Sequence, residues 1–89
     1  MVRMFVRHEV DDYTDWREAY DAFDAERRGM GVRAHGVYRG CGDANDVTVS
    51  HDFDSVDAAR SFVESTRLKE AMEEAGVRGE PQIWFVEQD

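Results

Sequence analysis

At 89 residues the chain has the length of one domain, residues 1–89, and a domain this short buries only about 60–65% of the surface its unfolded state exposes, so a second apolar surface to share would help it. Twenty acidic residues against eleven basic ones give a formal net charge of −9 with acids in every segment, which argues against nucleic acid and anionic membranes as partners, because binding either requires a basic patch. No apolar run approaches the ~20 residues that span a bilayer, no basic and apolar leader opens the chain, and Cys41 stands alone without a disulfide partner, so the expected location is cytoplasmic.

Met1 to Val10 reads as the first strand, with Val2, Met4, Val6 and His8 on one face and Arg3, Phe5, Arg7 and Glu9 on the other. Asp12 is placed to cap a helix, with Asp15 three residues on. Tyr13, Trp16, Tyr20 and Phe23 then follow at helical spacing, which predicts one helix ending at Gly29 in the left-handed conformation. Val32 to Arg39 reads as the second strand, and the Gly/Asn/Asp-rich link from Gly40 to Asp46 as a hairpin turn. In the third strand Val47, Val49, His51 and Phe53 point one way and Thr48, Ser50 and Asp52 the other. Asp54 or Ser55 caps the helix that follows, striped with Val56, Ala59, Phe62 and Val63. Arg67 interrupts that stripe, and Leu68, Ala71, Met72 and Ala75 start another. A break at Ser65-Thr66 therefore separates a short further helix that Gly76 ends. Pro81 opens the last strand, Gln82 to Glu87, where Ile83, Trp84, Phe85 and Val86 are apolar without alternation and call for cover on both faces.

Strand, helix, strand, strand, helix, strand is the order of an α+β, ferredoxin-like βαββαβ fold: a four-stranded antiparallel sheet in the order 4-1-3-2 with the helices on one face. The other face, carrying Phe5, Trp84 and Val86 or their neighbours of opposite parity, would be a large apolar patch on its own, which predicts a symmetric homodimer joined through the sheets. The first and third strands are taken as parallel neighbours, each with a histidine near its C-terminal end, which would bring His8 and His51 within a few ångströms. His35 lies beside His51 if the hairpin pairs residues whose numbers sum to 86.

The segments VRHEV (Val6 to Val10), GVRAHGVYRG (Gly31 to Gly40), VSHDFDSVDAARSFV, LKEAMEEAGV (Leu68 to Val77) and PQIWFVE, with Trp16 and Tyr20 on the first helix, resemble the dimeric α/β-barrel superfamily, in particular small proteins of the antibiotic-biosynthesis-monooxygenase type. The resemblance covers nearly the whole chain. It implies two ferredoxin-like subunits joined through their sheets, each with a small pocket between sheet and helices. It also implies membership of a group that includes cofactor-free quinone-forming oxygenases, haem-degrading enzymes and proteins of unknown role. The histidine that the haem-degrading branch carries on its second helix has no counterpart between Ser55 and Ala75, so no cofactor is expected.

Three readings of the histidines stay open. In the first, His51 and His8 are the proton-transfer groups of an apolar pocket that takes a small aromatic ligand, with His35, Tyr13, Trp16, Tyr20 and Tyr38 as its ligand-binding wall. For an enzyme, the resemblance implies a cofactor-independent monooxygenase-like or cyclase-like reaction; the alternative is a non-catalytic dimerisation or ligand-sensing module. In the second, the three histidines hold Zn²⁺, although no HxH or HExxH spacing is present. In the third, they are hydrogen-bonded structural residues. The eleven basic residues are ten Arg and one Lys, a bias shared by proteins kept soluble in concentrated salt and by GC-rich genomes.

Overall fold

The first and third strands form the centre of the fold, because each has a hydrogen-bonded strand on both sides. A computed structural model describes all residues 1–89, in the order β1 (Val2–Val10), α1 (Tyr13–Ala22), α2 (Asp24–Gly29), β2 (Ala34–Gly40), β3 (Asp43–Phe53), α3 (Val56–Glu64), α4 (Thr66–Glu74) and β4 (Val77–Glu87). The sheet runs β2-β3-β1-β4, and every neighbouring pair is antiparallel. This is the ferredoxin-like sheet expected from the element order. No helix is long and apolar enough to cross a membrane.

The alternation read in β1 and β3 decides which face is packed. Val2, Met4, Val6, His8 and Val10 are buried, as are Val47, Val49, His51 and Phe53, whereas Arg3, Arg7 and Glu9 are exposed. The helices cover the first set, and Phe53, Phe62, Met4, Val10 and Val47 are the largest fully buried side chains. Truncating a ring such as Phe62 to Ala would remove its transfer energy and leave a cavity, about 3–5 kcal/mol in all.

Local signals place most helix ends. Asp12 accepts from the Asp15 amide, Ser55 from the Ala58 amide and Ser65 from the Leu68 amide, so three side chains satisfy amides that have no partner within their helices. The break between α3 and α4 falls at Ser65, as the interrupted stripe predicts. The first helix differs from expectation. It ends at Ala22, a second short helix begins at Asp24, and the residue with positive φ is Gly31 (+100°), not Gly29. β4 also starts earlier than read, at Val77, and Pro81 lies inside it. A proline is tolerated there because β4 is an edge strand and its pairing with β1 shifts register between Arg7 and Glu9. That irregularity, with Gly79 at φ +63°, leaves His8 without a β4 partner in the ladder.

Candidate functional site

Between the packed face of the sheet and the helices lies a cavity of about 350 Å³, walled mainly by apolar side chains. Val6, Val49 and Ile83 form its floor, Trp16, Tyr20 and Phe23 one side, and Phe62, Leu68 and Met72 another. The aromatic wall is continuous: Trp16 stacks on Tyr20 with centroids 4.8 Å apart, His8 lies 5.6 Å from Trp16, and His51 lies 6.3 Å from Tyr20 and 5.2 Å from Phe62.

The two central histidines border this cavity but do not meet. β1 and β3 are antiparallel, not parallel, because the α1–α2 crossover carries the chain past the position that β3 then fills. His8 pairs with Val47 and His51 with Met4, so the rings stand four residues apart along the sheet, ~13 Å at ~3.3 Å per residue. Trp16 and Tyr20 occupy the span between them. His35 does pair with His51 across the hairpin, in the register summing to 86. Its ring lies behind Tyr20: Tyr20 Oη and His35 Nδ1 are 2.8 Å apart, and His35 Nε2 is 3.6 Å from Asp24 Oδ1. His35 does not line the cavity and is linked to its wall only by the contact with the Tyr20 hydroxyl. Tyr13 packs against Trp16 at 5.9 Å with the Arg39 guanidinium over its ring at 3.8 Å, and it does not line the cavity as expected. Tyr38 pairs with Thr48 on the uncovered face of the sheet and is 56% exposed, so it lies outside the cavity it was expected to line.

None of the four ring nitrogens of His8 and His51 has a hydrogen-bond partner, although the two residues are only 7% and 4% exposed. Burial favours the neutral ring. It pushes His8 down to about 4, with the Asp46 carboxylate opposing, and it pushes His51 down to about 3, assisted by the positive charge of Arg27. Burial also raises the Tyr20 hydroxyl. The chain itself gives these two rings no hydrogen-bond partner, and they are buried polar groups among apolar side chains. No three of the His, Cys, Asp and Glu side chains are gathered as a metal would need, and the distance between His8 and His51 separates the proposed zinc ligands.

Arg27 is a part of the site that the sequence pattern did not single out. It is 2% exposed, borders the cavity, and lies over the Tyr20 ring with Cζ 3.7 Å from the centroid. Its position continues the spacing of Trp16, Tyr20 and Phe23, so the stripe itself carried the signal. Nη1 donates to the Tyr20 carbonyl, which at the end of α1 also accepts from the Phe23 amide, and Nη2 to Asp24 Oδ1 at 3.3 Å.

No family model and no curated protein matches the chain. Solved structures do. A protein from Bordetella bronchiseptica described as an antibiotic biosynthesis monooxygenase aligns with a TM-score of 0.80 at 16% identity, over 99% of this chain and 96% of that one. SnoaB, a cofactor-independent oxygenase from Streptomyces nogalater, aligns at 0.75 with 15% identity over 99% and 94% of the two chains. A conserved protein from Methanosarcina mazei aligns at 0.77 with 14% identity over 99% and 92%. At such identities the likeness establishes the fold: this chain has the ferredoxin-like fold of the antibiotic-biosynthesis-monooxygenase structures.

Proposed function

We propose that the cavity takes a small, mainly apolar aromatic molecule, and that the chain oxidises it with O₂ without a cofactor. The observation that carries this reading is an apolar cavity of about 350 Å³ bordered by two buried histidines whose ring nitrogens have no partner. A pocket with a few polar groups in an apolar wall suits a ligand that is mostly ring and carries a few oxygens. The likeness to SnoaB, itself a cofactor-independent oxygenase, supports the same reaction class.

In such a reaction the substrate is its own reductant. Loss of a proton from an acidic ring methylene leaves a carbanion delocalised over the ring. Its electrons reduce O₂, and the resulting hydroperoxide loses water, so CH₂ and O₂ become C=O and H₂O. His51 and His8 are neutral near pH 7, so each offers a nitrogen lone pair to an acidic hydrogen of the substrate. Each is a weak base until the anion forming beside it favours the imidazolium. Tyr20 and His35 supply a hydrogen-bonded path from the wall to the half-exposed rim. Trp16 and Tyr20 present ring faces against which an aromatic body stacks.

The weak basicity of both histidines favours a second reading, a non-catalytic ligand-sensing module in which neutral imidazoles orient a ligand and no proton moves. In either reading the working unit is a homodimer. Trp84 (42% exposed), Val86 (40%) and Tyr38, with Phe5 stacked on Trp84 at 5.4 Å, lie on the face that the helices leave bare.

Oxygen uptake and quinone absorbance, followed together with 1,8-dihydroxyanthrone as a probe substrate, test the enzyme reading. Expected is uptake above the uncatalysed rate in step with quinone formation, reduced ~100-fold or more by His51→Gln. Binding without uptake leaves the sensing module, and no binding by any small aromatic removes the cavity as a site.

A further inference from the structure

Arg27 carries a charge that its own surroundings leave incompletely matched. Its one carboxylate partner, Asp24, is shared: the other Asp24 oxygen lies 3.1 Å from Arg28 Nε, and His35 Nε2 lies 3.6 Å from the oxygen that faces Arg27. Asp24 is also 34% exposed, so water weakens its pull. Arg27 Nε is buried and has no acceptor at all. A buried guanidinium with an unused donor is costly, and an anionic oxygen is the partner that relieves the cost most, through a charge-assisted hydrogen bond in low dielectric.

The rest of the wall points the same way. The chain carries twenty acidic residues and eleven basic ones, yet the charged side chains bordering the cavity are Arg27, Lys69 and Glu73, two bases to one acid. Lys69 is the only lysine in the sequence. The Arg27 charge also reaches the cavity floor, where it is the largest influence on His51 after burial.

We infer that the ligand of this cavity is an apolar acid, a ring body packed along Trp16 and Phe62 with one ionised oxygen group, a carboxylate or an acidic enol, held by the Arg27 guanidinium at the cavity border. This rests on the cavity being the ligand site, as proposed above. The class is selective against the chain's own field: an anion is repelled by the acidic surface at long range and retained only where Arg27 and Lys69 dominate. Neutral His51 and His8, each able to donate one N–H, complete the set of polar contacts without adding a competing negative charge.

Two matched pairs test this by isothermal titration of the unmodified protein at pH 7.5: 2-naphthoate against 2-naphthamide, and 4-hydroxycoumarin against coumarin. The anion of at least one pair is expected to bind ~10-fold or more tightly than its neutral counterpart, and the pair that shows the preference separates carboxylate from enol. Arg27→Gln is expected to abolish the preference while the neutral compound still binds, and Arg27→Lys to restore part of it. Because Arg27 is buried and its variants stand to lose the fold, the comparison within the unmodified protein is decisive alone. Equal binding of acid and neutral compound in both pairs overturns the inference and leaves the cavity reading standing. Binding of none of the four removes both. A preference that survives Arg27→Gln and disappears in Lys69→Met places the anchor at Lys69 and overturns the assignment to Arg27.

Discussion

The two faces of the sheet are built from the same strands and treat their polar residues in opposite ways. On the open face, Arg3 forms a two-pronged pair with Asp52 at 2.7 and 3.1 Å, and Arg7 one with Asp46 at 3.0 and 2.8 Å, each across the β1–β3 boundary. On the covered face, His8 and His51 come from the same two strands, are far more buried, and have no partner. Polar groups that are paired with each other fix register and need nothing more. Buried polar groups left unpaired by the chain destabilise the fold until a water, a ligand or a proton satisfies them. Under the proposed function the contrast puts structure on one face and chemistry on the other, and it has testable edges.

The largest effect is expected in acid. The unfolded rings take up protons below pH ~6.5, whereas folded His8 and His51 stay neutral until about 4 and about 3. Their contribution to stability is therefore fully present above pH ~6.5 and is lost progressively as pH falls towards those values. Each tenfold loss of proton affinity on folding corresponds to ~1.4 kcal/mol, so the two rings together amount to several kcal/mol, comparable with the whole stability of a small domain. The carboxylates held low by arginines, Asp46, Asp52 and Glu26, act in the same direction but in a lower window, below pH ~4, where their unfolded forms protonate. Urea midpoints measured from pH 7.5 to 4.5 at fixed protein concentration should thus fall steeply, and His51→Gln should flatten the fall. An unchanged slope in that variant would mean that His51 is not buried and neutral.

The next effect belongs to the open face. Trp84→Glu places a charge in the middle of the patch formed with Phe5 and Val86. It should convert the proposed dimer to monomer by sedimentation while leaving the helical circular dichroism unchanged, since Trp84 contributes nothing to the covered core. A protein already monomeric at high concentration removes the sheet-to-sheet dimer. A variant that unfolds instead shows that this face supports the single chain.

Much of this division is legible in the residues. Period two alone separates the faces of β1 and β3, and the hairpin register of 86 places His35 opposite His51. That register also places Tyr38 opposite Thr48, on the outward set, so the position of Tyr38 was implicit in the same alternation. Periodicity gives the face of a residue but not the direction of its strand. For this reason the pattern brings His8 and His51 together when four residues separate them. The α1–α2 break at Phe23 has no Gly or Pro to announce it. Arg27 is hidden differently: it stands in register with the apolar stripe, but a charge in a helix reads as solvated unless the spacing is weighted above the residue type. The irregular stretch of β4 from Gly79 to Pro81 depends on pairing with β1, which one strand's sequence does not encode.

The smallest expected effect is the most diagnostic of which face is which. Asp52→Asn removes the anion that Arg3 grips in a pair that water reaches mainly from the Arg3 side, the Arg3 side chain being 51% exposed and the Asp52 side chain 13%. A surface pair of this kind contributes little, because solvent screens it and ordering two side chains opposes it. In a single chain the urea midpoint of Asp52→Asn should therefore lie close to that of the parent. If two sheets meet face to face, the same pair is drawn away from water, and removing one partner leaves a charge poorly solvated in the interface. The substitution should then be nearly silent at protein concentrations where the dimer has dissociated and clearly destabilising where it has formed. A small, concentration-independent shift would show that Arg3 and Asp52 stay in water and that the second copy, where one binds, covers only the Phe5–Trp84 end of the face. A large shift in the isolated chain would erase the contrast between the two faces, because the paired residues would then matter to the single fold as much as the buried ones.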